Sequence, residues 1–375
     1  MCKETSVVDH QNSSNLDEID SDVVLGEELD DDEPLQSEIL CRLKEAEKKL
    51  FSRVKTPYKT YYVKIPLWDS KIYTLTIKAD DADESAIPIV LLHGFGGGIA
   101  LWSVVLDGLV SSKRVVHAFD LLGFGSSSRP KFSTEAIIAE KEFVRSIEEW
   151  RNAMNIDQMI FVGHSFGGFL GCSYIMEYPD RVRHLVLVDP WGMDENKPTD
   201  GDQVRRVPWW AIALRPIISK FNPMATARLL GSRAPKVMKR FRPEMEGWYK
   251  TDAIYDYNYL NNAQKPSGEI AFKNMCILLA QVKRPIIHRV HSMHYKVPIT
   301  FMHGCDSWVD STPAYSIKYM REKSYVHVKL IKNAGHQIFA EAPLHFLKAM
   351  EDIVEIINRN RDLIDTKNSK NLENL

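Results

Sequence analysis

Four short stretches of the chain are apolar almost without interruption: residues 87–92, 115–119, 159–162 and 185–188. Strands covered on both faces, as in a parallel sheet, read this way because no alternate position faces water. Between these runs the period changes. Phe143, Ile147, Trp150 and Met154 recur at helical spacing, and strand alternating with helix predicts right-handed crossovers and a doubly wound, mostly parallel sheet. Ahead of this block, residues 61–65 and 72–77 alternate apolar with polar, which predicts an antiparallel pair at the sheet's edge. Earlier still, Ile39, Leu40, Leu43, Ala46 and Leu50 mark an amphipathic helix expected to pack on the domain.

The alternation stops at Asp189-Pro190 and resumes at residues 297–302, with a further strand over 326–331 and a last helix opened by Pro343 and carrying Leu344, Leu347, Met350, Ile353 and Ile357. Structureless loops as long as the intervening segment are rare in compact domains, so it reads as a helical lid inserted between strands. The expected organisation is therefore an α/β core over 61–190 and 290–362 with a lid over 191–289. An amphipathic helix and linker over 37–60 precede it. An acidic N-terminal tail over 1–36 and a short polar tail over 363–375 are too poor in apolar groups to offset the entropy of ordering.

Candidate chemistry sits at the ends of the predicted strands. Gly163-His164-Ser165-Phe166-Gly167-Gly168 follows the 159–162 run directly and opens a helix. Strand, G-x-S-x-G, helix is the setting of a nucleophile elbow, with Ser165 on a strained turn. A serine hydroxyl at its ordinary pKa needs a base, and that base needs an orienting acid. His336, in Asn333-Ala334-Gly335-His336 after the last strand, is the candidate base. The acid is sought after the strand ending Met302-His303-Gly304. Many hydrolases place it three residues beyond such a glycine, but that slot holds Ser307; Asp310 is favoured, with Asp306 as the alternative. Amide donors for a developing oxyanion are expected from Phe166 and from Phe95 in the glycine-rich loop His93-Gly94-Phe95-Gly96-Gly97-Gly98. The turn Asp120 to Ser127 is expected to brace the site. None of this chemistry calls for a metal or an organic cofactor.

Taken together, His93-Gly94-Phe95-Gly96-Gly97, Asp120 to Ser126, Gly163 to Gly168, Val188-Asp189-Pro190-Trp191-Gly192 and His336 resemble the group of α/β-hydrolase domain-containing proteins 4 and 5, as do Pro266-Ser267-Gly268-Glu269 and Ala271-Phe272-Lys273-Asn274-Met275. The likeness covers most of residues 40 to 360 and implies the α/β-hydrolase fold. For the member-4 type it implies a lysophospholipase or N-acylphosphatidylethanolamine lipase. For the member-5 type it implies a lipid-droplet lipase coactivator with a lysophosphatidate acyltransferase role, and hence a triacylglycerol lipase or droplet-coat protein as partner. By the same resemblance Asp310 falls at the family's acid position. Two departures separate the chain from the coactivator. Ser165 stands where the vertebrate coactivator has asparagine, and the N-terminal tail has no tryptophan. The family's acyltransferase spacing H-x-x-x-x-D is here His336 to Glu341, with Glu in place of Asp.

Charge adds one asymmetry. The net charge of −2 gives no general attraction to nucleic acid, yet between Asp202 and Glu244 there is no acid at all. That stretch holds Arg205, Arg206, Arg228, Arg233, Lys236, Lys239, Arg240 and Arg242 among others, interleaved with Trp209 and Trp210. Basic groups beside tryptophan suit docking to an anionic phospholipid surface, the alternative being a solvated lid face. No apolar run reaches the roughly 18 residues a spanning helix needs. A phospholipid or lysophospholipid substrate, peripheral contact with a membrane or lipid-droplet surface and a cytoplasmic location are the expectations. The five cysteines, odd in number and far apart, read as reduced thiols.

Overall fold

The computed structural model of the chain describes Val7–Val8 and residues 33–194, 224–278 and 281–372. Its centre is a sheet of nine strands. They are β1 (Val7–Val8), β2 (Tyr58–Ile65), β3 (Ser70–Ile77), β4 (Ile89–Leu92), β5 (Val116–Phe119), β6 (Met159–His164), β7 (Val182–Val188), β8 (Ile299–Gly304) and β9 (Val326–Ile331). The spatial order is β1-β2-β3-β5-β4-β6-β7-β8-β9. β2 and β3 pair antiparallel, as their alternation predicts, and β3 runs antiparallel to β5; every other neighbouring pair is parallel.

The unbroken apolar runs serve two cores at once, because side chains alternate across a strand. Val90, Leu92, Phe161, Leu185 and Leu187 face one layer. There they meet α2 (Ala136–Ala153), through Phe143, Ile147 and Trp150, and α3 (Phe166–Glu177), through Phe169 and Leu170. Ile89, Leu91, Ile160, Val162 and Val186 face the other layer. That layer is built from α1 (Glu33–Phe51), through Leu43, Ala46 and Leu50, and from the C-terminal helix Pro343–Leu372, through Met350, Ile353 and Ile357. The apolar stripe of α1 is thus spent on the domain itself. Leu344 departs from the expected stripe: it stands exposed in the first turn of the terminal helix.

Between β7 and β8, within the stretch read from sequence as a lid, lie α4 (Ala225–Leu230), α5 (Ala234–Phe241), α6 (Glu244–Tyr249), α7 (Ala253–Ala263) and α8 (Ser267–Met275), followed by a small antiparallel pair, Cys276–Leu278 with Gln281–Val282. Arg205, Arg206, Trp209 and Trp210 lie outside the described residues, as does the acidic tail apart from Val7–Val8 and the first turn of α1. No described helix is long and apolar enough to cross a membrane. Cys172, Cys276 and Cys305 carry free thiols, whereas Cys41 is disulfide-bonded, which corrects the expectation of reduced cysteines throughout.

The strand order reverses direction between β4 and β6. In an open parallel sheet the crevice at the carboxyl ends of the strands beside such a reversal is where ligands bind. The loops that leave β4 and β6 are the glycine-rich loop and the Ser165 turn.

Candidate functional site

Ser165 is the single residue between β6 and α3, and its backbone sits at φ 51°, ψ −113°. A side chain held there is strained, and such strain persists only where the surroundings over-determine it. Backbone bonds to its neighbours do so. Ser165 N–H donates to Val188 O at 3.0 Å, Trp191 N–H donates to Ser165 O at 3.1 Å, and Gly168 N–H donates to the same oxygen at 3.0 Å. The flanking glycines are steric necessities. A Cβ on Gly163 would lie 2.4 Å from Gly167 O, and one on Gly167 would lie 2.7 Å from the carbonyl oxygens of Leu92 and His93.

Phe166 begins α3, so its amide is among those with no acceptor inside the helix. The glycine-rich loop after β4 presses against the same point: a Cβ on Gly94 would come within 2.9 Å of Ser165 Cβ. The next residue, Phe95, stacks on Phe272 of α8 with ring centroids 4.2 Å apart. Phe166 packs against Phe272 and Trp191 in turn, at 5.1 Å and 6.0 Å. Lid and core together therefore raise an aromatic wall beside the serine. The 120–127 turn lies against that wall through Phe124, whose ring meets Phe95 at 5.8 Å and Phe166 at 6.5 Å, and is itself held by Asp120. Asp120 accepts the amides of Ile99 and Ser126, each at 2.8 Å, and Ser127 Oγ donates to Asp120 O at 2.7 Å.

His336 lies in the loop between β9 and a helical turn, Ile338–Glu341. Its ring does not meet Asp310 or Asp306. Asp310 is exposed and accepts the amide and hydroxyl of Thr312, at 2.9 Å and 2.8 Å, holding the first turn of the helix Thr312–Met320. Asp306 is exposed and its amide donates to Ala334 O. The partner of His336 is instead Asp189, at the end of β7: Nδ1 and Oδ2 are 2.6 Å apart. Asp189 is fully buried and itself adopts a positive φ of 45°. Ser307 occupies the slot three residues after Gly304, and its hydroxyl donates to Asp189 Oδ2. Gly304 N–H lies 3.3 Å from Oδ1, and the ring of His303 lies 3.4 Å from the same oxygen. Burial works to raise the Asp189 pKa, but His303, His336 and Ser307 around it prevail and hold it below the ordinary carboxylate value. A carboxylate entering from β7 thus fills the space that an acid on the β8 loop would otherwise take.

The sequence carried a signal for this position: a charge directly after the wholly apolar run 185–188, next to the strand that feeds Ser165. An ionisable group at the carboxyl end of a buried parallel strand opens onto the crevice, not onto solvent.

His164, just before the nucleophile candidate, reaches across to the histidine loop: its Nε2 lies 2.9 Å from His336 O. A carbonyl can only accept, so Nε2 carries the proton. Burial beside His336 pushes the His164 pKa down to about 3. His93 is similarly fixed as the neutral form, with Nδ1 against Gly94 O and Nε2 accepting Leu121 N–H, and burial brings its pKa to about 4. Burial likewise lowers His117 to about 4 and His184 to about 3.

A histidine depressed in the folded state binds protons better when unfolded. The stability it contributes is complete above pH 6.5 and is lost as pH falls from there toward the folded value. Lowering pH from 7.5 to 5 should therefore cost about 2 kcal/mol for each such buried neutral histidine, offset in part by the buried carboxyls of Asp120 and Glu47, whose pKa values burial raises and which work in the opposite direction. The urea midpoint followed by tryptophan fluorescence reads this out, and a midpoint constant over that range would contradict it.

Comparison with known proteins agrees with this architecture. The family described as alpha/beta hydrolase fold matches residues 87–343. The human (lyso)-N-acylphosphatidylethanolamine lipase is 41% identical over 323 residues, covering 85% of this chain and 93% of that protein. The rat 1-acylglycerol-3-phosphate O-acyltransferase ABHD5 is 42% identical over 320 residues, covering 84% and 90%. Among solved structures, a bacterial membrane phospholipase A superposes with a TM-score of 0.58 at 19% identity, covering 86% of this chain and 93% of that one, a likeness of fold. The chain belongs to the α/β-hydrolase family, in the group that holds the (lyso)-N-acylphosphatidylethanolamine lipases and ABHD5.

Proposed function

We propose that the protein is a serine-dependent lipid hydrolase that cleaves an acyl ester of a phospholipid or lysophospholipid, N-acylphosphatidylethanolamine included, at a membrane or lipid-droplet surface. The observation that carries this reading is the pairing of His336 with the buried Asp189 in the loop beside the strained Ser165 turn. In this reading His336 Nε2 takes the Ser165 proton as Oγ attacks the ester carbonyl. Asp189 holds the imidazole tautomer and stabilises its charged form. The amides of Phe166 and Phe95 receive the oxyanion. The proton then passes to the departing lysolipid or glycerophospho alcohol, leaving an acyl-serine that water cleaves by the same route reversed.

The aromatic wall of Phe95, Phe166, Trp191 and Phe272 suits an acyl chain, and relatives named as lipases at 41% identity support the substrate class. Acyl transfer is the second reading, favoured by the near-equal identity to ABHD5: a lysophospholipid hydroxyl would replace water in the second step. Fatty-acid release from N-acylphosphatidylethanolamine and lysophospholipid vesicles, with Ser165→Ala as control, tests the proposal. Release no greater than the control on every lipid would leave a regulatory, coactivator-like role in its place.

Surface docking in this reading rests on fewer basic groups than composition suggests. Lys239 pairs with Glu246 at 2.9 Å, Arg228 pairs with Glu269 at 2.6 Å, and Arg242 pairs with Glu244. Arg233, Lys236 and Arg240 are exposed, beside Leu229 and Phe241, whose relative exposures are 89% and 75%. Leu229→Asp with Phe241→Asp should weaken binding to anionic vesicles at least tenfold, since burying one such side chain contributes roughly 1.5–3 kcal/mol. Lys239→Ala should change it little. Co-sedimentation measures both, beside hydrolysis of a short soluble ester, which should be spared; unaltered vesicle binding in the double variant would place docking elsewhere.

A further inference from the structure

The spacing from His336 to Glu341 resembles an acyltransferase signature, yet the Glu341 carboxylate is engaged within its own loop. Its Oε2 accepts Gly335 N–H at 2.7 Å and its Oε1 accepts Gln337 N–H at 2.9 Å. These are the amides immediately before and after His336. The carboxylate lies so close over Gly335 that a Cβ there would sit 3.0 Å and 3.2 Å from its two oxygens. The short helix Ile338–Glu341 folds Glu341 back onto that position, with Glu341 N–H donating to Gln337 O at 2.9 Å.

We propose that Glu341 is a positioning residue for His336, clamping the backbone on both sides of it, and that the five-residue spacing serves the base of the triad, not an acyl acceptor. This rests on the reading of His336 as the base. Two further ties act on the same residue: His164 Nε2–H on its carbonyl oxygen and Asp189 on its Nδ1. Carbonyl, both flanking amides and ring are then all fixed, so the remaining ring nitrogen, Nε2, is aimed by four contacts that do not depend on substrate. A carboxylate fits this task because it offers one acceptor oxygen to each amide. A glutamine side chain offers a single oxygen and turns an N–H₂ toward an N–H.

The test uses this chain as wild type, Glu341→Gln and Glu341→Asp, with active sites titrated by a fluorophosphonate so that lost folding does not count as lost turnover. On a short soluble ester Glu341→Gln should lower kcat per titrated site by about 10- to 100-fold with KM within twofold, the scale on which a misplaced catalytic group costs rate. Deuterium uptake at the Gly335 and Gln337 amides should rise in the same variant. Glu341→Asp, which keeps the charge and both oxygens, should recover much of the rate and serves where the glutamine variant fails to fold. An unchanged kcat per site or unchanged uptake overturns the proposal, as does loss of acyl transfer to a lysophospholipid with hydrolysis retained. Failure of the hydrolase reading itself looks different: the wild type would then be no faster than Ser165→Ala, while deuterium uptake would still report on the clamp.

Discussion

Asp189→Asn should lower kcat for ester hydrolysis by about four orders of magnitude, while Asp310→Asn should leave it within a few-fold. The amide cannot hold His336 in the tautomer that keeps Nε2 free to accept a proton, nor balance the imidazolium that forms. Asp189 is buried, accepts from Ser307 and sits 2.6 Å from His336 Nδ1. Asp310 spends its carboxylate on Thr312 at the start of a surface helix. KM should move little in either variant, because neither group lies on the aromatic wall proposed to take the acyl chain. Steady-state kinetics on a soluble ester, with thermal melting to confirm folding, separates the two. A collapse of kcat in Asp310→Asn with Asp189→Asn nearly intact would return the acid to the β8 loop. Ser307→Ala bears on the same question, since it removes the hydroxyl that supports the buried carboxylate; its effect should be smaller and in the direction of Asp189→Asn.

What the sequence made legible was whatever depends on local pattern. Parallel strands buried on both faces leave continuous apolar runs, and a strained turn with no room for a Cβ leaves Gly163, Gly167 and a serine between them. Both can be read without knowing the neighbours. The acid could not be read in that way. Its identity depends on which of two adjacent strand ends, β7 or β8, sends a carboxylate under His336, and spacing along the chain does not decide between them. Ser307 was a clue of the right kind, a hydroxyl where an acid was expected. Its meaning as a donor to a carboxylate from the next strand emerges only once β7 and β8 lie side by side. Glu341 was legible as a spacing and not as a contact, because the helical turn that folds it back over Gly335 is a single turn long. The basic lid illustrates the opposite limit. Composition counts charges, but Glu269 and Glu246 neutralise Arg228 and Lys239 from outside the acid-free stretch.

Ser165→Ala and His336→Ala should each abolish hydrolysis almost completely, by a factor on the order of 10⁶, and the double variant should be about as inactive as either alone. On the proposed reading the two side chains are parts of one proton-transfer unit. Without the base the hydroxyl stays protonated, and without the hydroxyl the base has no proton to accept. Removing the second after the first therefore costs almost nothing, and the coupling energy nearly equals either single loss. What survives in all three variants should be the modest acceleration owed to the oxyanion amides and the acyl pocket, which the substitutions leave in place. His164 offers an internal contrast. It tethers the His336 carbonyl but transfers no proton, so His164→Phe should cost far less than either and should combine with Glu341→Gln non-additively, since both act on one loop. The measurement is the full double-variant cycle on a soluble ester and on phospholipid vesicles, each protein checked for an unchanged fold by circular dichroism. A double variant slower than Ser165→Ala by a further several orders of magnitude would mean that the two residues contribute independently, and a single Ser–His relay could not then be the machinery of this site.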